Sequence, residues 1–166
     1  RAVKSNAILL ASGGASVGEE DHVRAAIEAS GRLTFWRLAI KPGRPVALGT
    51  VAGTPVIGLP GNPVAAFVTW MVLGRPVVGR LGGNAGAPAP VHHVKAGHAL
   101  RHKLGRCEFR PARITGYDGR GIDVIEAADA THSGRITSLL GAAGLVRIPA
   151  YVESVAPGDL LEFIPF

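Results

Sequence analysis

Three short motifs in the first half of the chain contain residue types that bind anions. The first is SGGASVGEED, which runs from Ser12 to Asp21. Glycine lets the backbone approach a ligand closely, and the N–H groups at the start of a helix favour a negative charge. A strand-to-helix turn without a ligand explains the same glycines. The functional interpretation is a phosphate site formed by Gly13, Gly14, Ser16 and Gly18.

Acidic residues follow the glycines in the same motif. Carboxylates in a first helical turn are stabilised by the helix dipole, which accounts for Glu19, Glu20 and Asp21 without any function. Beside a phosphate, however, three acids would repel the ligand unless a cation intervened, and Mg²⁺ is the usual mediator. Asp21 is therefore the candidate metal ligand or acid/base group. Glu19 fits the capping-box position relative to Ser16.

The second motif is KPGRP, from Lys41 to Pro45. Two prolines and a glycine fix the backbone more firmly than a solvated basic loop requires. A compact ammonium and a planar guanidinium together suit an oxyanion such as phosphate or molybdate. Lys41 and Arg44 are thus the candidate catalytic cations, and a surface turn with two solvated charges is the alternative.

The third motif, GLPGNPVAAF, runs from Gly58 to Phe67. A helix start explains every residue in it, with Asn62 as the N-cap and Pro63 at the first helical position. In the functional interpretation, Pro60 and Pro63 form the wall of a pocket whose donors are Asn62 and the free N–H groups of the helix.

A linker rich in glycine, alanine and proline separates two predicted domains, 1–84 and 85–166. The first domain alternates strand and helix signals, which predicts an α/β fold. Its second helix is expected to begin at Pro63 and to break at Gly74 and Pro76. The expected elements are a strand at 7–11, a helix from 16 to 30, a strand at 33–40, a hairpin of 46–49 with 55–59, and a helix at 63–73.

The second domain has only short strand signals separated by turns, which predicts a small all-β sandwich or barrel. The expected strands are 91–100, 108–117, 122–127, 145–152 and 160–164. Strand alternation places His92, His98 and His102 on one face, where no cysteine or acid stands at a metal-ligand spacing, so we expect solvated surface histidines.

Composition excludes several classes of protein. The net charge is +6, of which +5 falls in residues 1–87, but there is no Lys/Arg run and only 5% of residues are aromatic, which argues against nucleic acid. The longest apolar stretch, Val64 to Gly74, is shorter than the roughly 20 residues of a membrane span. With one cysteine, Cys107, and no signal peptide, we expect a cytoplasmic protein. Because the chain begins at Arg1 and reaches a strand within a few residues, we expect it to come from a longer protein.

Taken together, the three motifs in this order and spacing resemble the MoeA family, which includes the E domain of gephyrin. The likeness covers residues 5–85 and extends into the tail through HSGRITSLLGAAGL. There Ser133 matches the family's serine, while His132 stands where glycine is usual. The resemblance implies a partial three-layer α/β/α domain similar to MogA, followed by a small all-β domain, in a homodimer.

The resemblance also implies an activity. Molybdopterin molybdenumtransferases take adenylylated molybdopterin and molybdate, with Mg²⁺, and yield molybdenum cofactor and AMP. A MogA-like molybdopterin adenylyltransferase and a non-catalytic, gephyrin-like interaction fragment are the alternatives, and we expect this piece to lack site residues that lie upstream. Carried over residue by residue, the positions that match the family's active-site cleft are Asp21, Lys41, Arg44, Pro60, Pro63 and Ser133.

Overall fold

A computed structural model describes residues 5–13, 22–84, 91–129 and 135–166. The fold mixes helices and sheets, with more sheet than helix. The chain divides into two compact units, the first formed by Arg1–Leu38 and Gly43–Gly86 and the second by Ala39–Pro42 and Ala87–Phe166. Residues 39–42 therefore belong to the second unit, although the linker-based division assigned them to the first.

Within the described residues the elements follow one another as twelve strands and three α-helices. In chain order they are β1 Leu9–Ser12, α1 His22–Ser30, β2 Gly31–Arg37, β3 Ile40–Lys41, β4 Pro45–Val51, β5 Thr54–Leu59, α2 Pro63–Thr69, α3 Arg75–Leu81, β6 His92–Ala96, β7 Leu100–Arg101, β8 Cys107–Tyr117, β9 Asp123–Ala127, β10 Gly144–Ile148, β11 Ser154–Val155 and β12 Leu160–Pro165.

The first unit contains a four-stranded sheet in the order β1-β5-β4-β2. β1 runs parallel to β5, whereas β4 runs antiparallel to both of its neighbours. The predicted hairpin is present as β4 and β5, joined through Ala52 and Gly53, whose φ angles of 47° and 81° are both positive. Such a turn matches the twist of the two strands it connects.

Helices pack on both faces of this sheet. Ile27 of α1 packs with Ala47 and Val56. The residues next to these in the strands, Val46 and Ile57, point the other way because side chains alternate along a strand. They form a second cluster that includes four residues of the helical run after β5, namely Ala66, Trp70, Leu73 and Val77.

The predicted break of the second helix at Gly74 and Pro76 is wrong. A π-helical turn, Trp70–Gly74, joins α2 to α3, so the run is helical from Pro63 to Leu81. Proline is tolerated in the first turn of a helix, where its missing N–H matters least, and Pro76 occupies that position in α3. Gly74 is needed because a Cβ there would lie 2.3 Å from Cε3 of the Trp70 ring.

The run from Pro63 to Leu81 is also longer than the apolar stretch expected from the sequence. It has 19 residues and a mean hydropathy of 1.3, so length and composition alone would let it cross a membrane. A core helix passes the same test, and this run packs on the sheet of the first unit. Ala66, Trp70, Leu73 and Val77 form the face that packs there.

Strand pairings of the second unit close on themselves. β10 pairs with β12, β12 with β6, β6 with β9, β9 with β8, and β8 with β10 again. Of the two alternatives predicted for this region, the pairings favour the barrel, because closure leaves no strand edge unpaired within the ring. β3 is not a member of the ring, and it pairs in parallel with the first two residues of β8, Cys107 and Glu108. Fully buried residues such as Ile125, Val146 and Ile148 fill the core of the ring.

Candidate functional site

The first two residues of the first motif, Ser12 and Gly13, meet the third motif at one end of the sheet in the first unit. Ser12, the last residue of β1, pairs with Leu59, the last residue of β5, and the N–H of Gly13 donates to the carbonyl of Leu59 over 3.3 Å. Gly61 and Gly13 also lie close together, since a Cβ added to Gly61 would be 3.8 Å from the Cα of Gly13. Ligands of open α/β sheets bind beyond the carboxyl ends of the strands, so this is the end where a site is expected.

Arg44 lies at the same end of that sheet. β4 begins at Pro45 and runs antiparallel to β5, with Ala47 opposite Gly58, so the start of β4 lies beside the carboxyl end of β5. The carbonyl of Arg44 accepts a hydrogen bond of 2.8 Å from the N–H of Leu38. This bond joins the two ends of the segment 39–43. The Arg44 side chain is exposed, and within the described ranges it forms no ion pair. A guanidinium is thus available to an anion here.

Asn62 has the structural role that the sequence predicts. Its Oδ1 accepts a hydrogen bond of 3.0 Å from the N–H of Ala65, and Pro63 follows at the start of α2. This confirms the N-cap. Pro60 is buried and Pro63 is exposed. The further role of Pro60, Asn62 and Pro63 as a pocket wall stays a prediction.

Lys41 has a different environment from the other predicted residues, because it belongs to the second unit. β3 runs parallel to β8, with Lys41 opposite Glu108 in the register. The Nζ of Lys41 lies 3.0 Å from Oε1 of Glu108. The Lys41 side chain is partly accessible to solvent, with 29% of it exposed. Lys41 is therefore ion-paired rather than freely solvated.

A buried charged cluster surrounds this ion pair, and the sequence analysis missed it. Glu108 is 1% exposed, and its Oε2 lies 3.1 Å from a terminal nitrogen of Arg110 and 3.9 Å from Nε2 of His102. Glutamate and arginine two residues apart on a strand share one face, which is the signal that could have revealed the pair. We call Lys41, His102, Glu108 and Arg110 the Glu108 cluster.

The expectation that the histidines are solvated is wrong for His102. It is 6% exposed, and its ring nitrogens Nδ1 and Nε2 lie 2.6 Å and 2.8 Å from the carbonyl oxygens of Val152 and Arg106. Hydrogen bonds to the backbone make the burial of a polar ring tolerable. His92 is exposed and His98 is half-buried.

Two opposing effects act on the carboxyl group of Glu108. Burial raises its pKa, whereas the hydrogen bond from Arg110, the close contact of the Lys41 ammonium and the charges of both groups lower it. The cations prevail, and the pKa of Glu108 lies below its usual value. Glu108 is therefore a carboxylate at neutral pH and contributes its charge to the cluster.

Five predicted site residues lie outside the described part of the chain, namely Gly14, Ser16, Gly18, Asp21 and Ser133. Among the described residues, no group of three His, Cys, Asp or Glu side chains is placed to hold a metal ion. The second unit also has an open cleft of about 400 Å³, which the sequence analysis did not predict. The ion pair of Arg113 with Glu126 lines it, together with Asp129 and Thr137.

The geometry defines a class of protein: an α/β unit with Gly13 and Arg44 at one end of its sheet, and a closed β unit in which Lys41 is ion-paired. Comparison with known proteins agrees with this class. Residues 1–80 match the family described as "Probable molybdopterin binding domain", and residues 93–166 match "MoeA C-terminal region (domain IV)".

Individual relatives give the same result. The chain is similar to the molybdopterin molybdenumtransferase of Haemophilus influenzae, with 40% identity over 104 residues, or 62% of this chain and 26% of that protein. It is 32% identical over 161 residues to molybdopterin molybdenumtransferase 2 of Mycobacterium tuberculosis, which covers 93% of this chain and 39% of the relative. The molybdopterin biosynthesis MoeA protein from Pyrococcus horikoshii superposes with a TM-score of 0.77 at 30% identity, over 99% of this chain and 38% of that one.

The chain belongs to the MoeA/gephyrin family of molybdenum cofactor biosynthesis proteins. It spans between a quarter and two fifths of the length of the relatives just named.

Proposed function

We propose that this chain is the C-terminal portion of a molybdopterin molybdenumtransferase, which transfers molybdenum from molybdate into adenylylated molybdopterin and releases AMP. The observation that carries the proposal is the meeting of the Gly13 turn, the Pro60–Pro63 turn and Arg44 at one end of a sheet. An exposed guanidinium is a donor that an oxyanion requires, and in this proposal the glycines that follow Gly13 in the motif add backbone N–H groups.

Each cation has a separate role in this proposal. The glycine turn and Lys41 hold the phosphate, and Arg44 brings molybdate toward the dithiolene of the pterin. Arginine suits an oxyanion because its fork of N–H groups can donate two parallel hydrogen bonds. Fixed donors of this kind act by positioning and by stabilising charge, which together account for most catalysis at phosphoryl centres.

The remaining features of the proposal rest on the sequence motifs, the composition and the resemblance. Asp21 contributes to a Mg²⁺ site, which offsets the charge of the phosphate, and Ser133 lies in the same cleft. The first unit corresponds to part of a three-layer α/β/α domain similar to MogA. The full protein acts as a cytoplasmic homodimer, and no nucleic acid or membrane takes part.

A MogA-like adenylyltransferase is the weaker alternative. The match of residues 93–166 to the MoeA C-terminal region favours the molybdenumtransferase, since a MogA-like protein is a single α/β domain. A non-catalytic interaction fragment of the gephyrin kind differs from both, because it requires no oxyanion chemistry.

The first test measures AMP release from adenylylated molybdopterin by this chain in the presence of Mg²⁺, with and without molybdate. Release that depends on molybdate supports the transferase. Binding of AMP without release places the missing catalytic groups upstream of this chain. If the chain neither releases nor binds AMP, the interaction fragment is the better description.

A pair of variants tests the placement of the site. Arg44→Ala should weaken the use of molybdate by roughly 10- to 100-fold, the usual effect of losing a charge-assisted hydrogen bond worth about 1.5–3 kcal/mol. Arg32→Ala is the matched control, because Arg32 is exposed on β2 and pairs with Thr50 near the opposite end of the sheet. Equal effects of the two substitutions would show that Arg44 acts only through net charge.

A further inference from the structure

The Glu108 cluster combines a buried carboxylate with a partly exposed lysine. Glu108 is 1% exposed, yet its Oε1 lies 3.0 Å from the Nζ of Lys41, a residue whose side chain is 29% exposed. Backbone pairing sets this arrangement as well, because Lys41 stands opposite Glu108 in the parallel register of β3 with β8. The N–H of Cys107 donates to the carbonyl of Ala39 over 3.0 Å and fixes that register. Lys41 is therefore held by both its backbone and its side chain.

The carboxylate of Glu108 is itself held in place. A terminal nitrogen of Arg110 donates to Oε2 of Glu108 and to the carbonyl of Arg101. On the other side lies the His102 ring, whose two nitrogens face the carbonyls of Val152 and Arg106. Arg110 and the His102 ring are thus both connected to backbone carbonyls beside Glu108.

Stability alone is a weak reason for such a network. Replacing a buried ion pair with apolar side chains of similar volume is often neutral or stabilising. A network of this kind does, however, define the position of each member. Glu108 carries one negative charge against the positive charges of Lys41 and Arg110, so the cluster keeps a surplus of positive charge. Lys41 is the member of that pair whose side chain has more access to solvent, with 29% exposed against 4% for Arg110, and therefore the one that an anion could meet.

We propose that Glu108 is a positioning residue, which orients the ammonium of Lys41 toward an oxyanion of the substrate. This inference rests on the proposed function, in which Lys41 holds the phosphate of adenylylated molybdopterin. Glu108 does not touch the substrate, and it acts through Lys41. Arg110 holds Glu108 in turn through a hydrogen bond to its Oε2, and the His102 ring lies 3.9 Å from the same oxygen.

The proposal separates two effects of Glu108→Gln, which removes the charge and keeps the size of the side chain. Loss of a negative charge near the site should leave the affinity for AMP equal or higher. Loss of the fixed orientation should lower kcat roughly 10- to 100-fold, since a small misplacement of a catalytic group can reduce rates by about two orders of magnitude. Slower turnover with undiminished binding is not the result of partial unfolding, which would weaken both.

A double variant tests whether Glu108 acts through Lys41. In the Lys41→Ala background, adding Glu108→Gln should change kcat by less than about threefold, because the group that Glu108 orients is gone. Additive losses would overturn the proposal. Glu126→Gln is the matched control, because Glu126 is an exposed carboxylate of the neighbouring strand β9, paired with Arg113. It should leave kcat unchanged.

A spectroscopic readout keeps the proposal testable if the proposed function fails. An ion-paired ammonium exchanges its protons slowly, so the Lys41 Nζ should give a signal in a ¹H–¹⁵N correlation spectrum, identified by its absence in Lys41→Arg. The signal should vanish in Glu108→Gln and persist in Glu126→Gln. If Glu108→Gln does not fold, Glu108→Asp keeps the charge, withdraws the carboxylate, and should weaken the signal. A signal that is missing in the wild type, or unchanged in every folded Glu108 variant, would overturn the positioning role.

Discussion

Substitution of Asn62 can separate a structural role from a binding role at the same position. The Asn62 side chain is exposed, and its Oδ1 accepts the Ala65 N–H over 3.0 Å at the start of α2. Asn62→Ala should destabilise the first unit by about 1 kcal/mol, the typical loss for an N-cap. Because urea lowers the free energy of unfolding by about 1–3 kcal/mol per molar, the midpoint should fall by roughly 0.3–1 M.

Asn62→Asp should behave differently in the two measurements. Aspartate caps a helix as well as asparagine does, and its charge interacts favourably with the helix dipole, so the urea midpoint should stay within about 0.3 M of the wild type. A new carboxylate beside the Gly13 turn should repel a phosphate and weaken AMP binding roughly tenfold or more. Urea denaturation and calorimetric titration with AMP measure the two effects, and Asn6→Asp on the exposed segment before β1 is the control for net charge.

Either measurement can refute the reasoning. If Asn62→Asp lowers the urea midpoint as much as Asn62→Ala does, the hydrogen bond to Ala65 does not stabilise the helix. If Asn62→Asp folds normally and binds AMP as tightly as the wild type, the Pro60–Pro63 turn does not lie near the phosphate.

Two further predictions concern a helix and a turn. Gly74→Ala should destabilise the first unit by about 1–3 kcal/mol in thermal or urea denaturation, because the new Cβ would overlap the Trp70 ring. Gly79→Ala is the control. Its Cβ would meet nothing closer than 3.9 Å, so this substitution should be neutral or stabilising. The second unit should lose stability as the pH falls from about 4 to about 2. A hydrogen bond from Lys95 and two from backbone N–H groups lower the pKa of Asp118 from 3.8 to about 2, and a lowered pKa contributes stability that is present at higher pH and lost on protonation.

Controls for both predictions use the same chain. Equal destabilisation by Gly74→Ala and Gly79→Ala would show that loss of glycine, rather than the Trp70 contact, is responsible. Lys95→Met removes the first partner of Asp118 and should raise the pKa of that carboxyl and flatten the acid dependence of thermal unfolding between pH 4 and pH 2. An unchanged pH profile in Lys95→Met would contradict the assignment.

Features set by a few neighbouring residues could be predicted from the sequence. Asn62 and Pro63 mark a helix start because a cap and a proline act within one turn of the chain. The hairpin around Gly53 follows from strand signals on both sides of a tight turn. The proximity of Ser12 to Leu59 depends on the pairing of two strands that are distant in sequence. It can be predicted once β1 and β5 are taken as parallel neighbours.

Features set by distant parts of the chain could not be predicted. The helix continues past Gly74 and packs on the sheet, where Leu73 and Val77 join Val46 in one apolar cluster. His102 is buried because its ring meets the carbonyls of Val152 and Arg106, and Val152 is 50 residues away. β3 joins the second unit through pairing with β8, more than 60 residues later in the sequence.

The membership of β3 in the second unit has a consequence for recombination between related genes. Recombination at the linker near residue 86 would join the first 86 residues of one parent to the barrel of another, and Lys41 and Glu108 would then come from different genes. A hybrid would work only if both parents had kept matching residues at these two positions. Residues 41 and 108 should therefore covary among related proteins, although a domain boundary at the linker would assign them to separate domains.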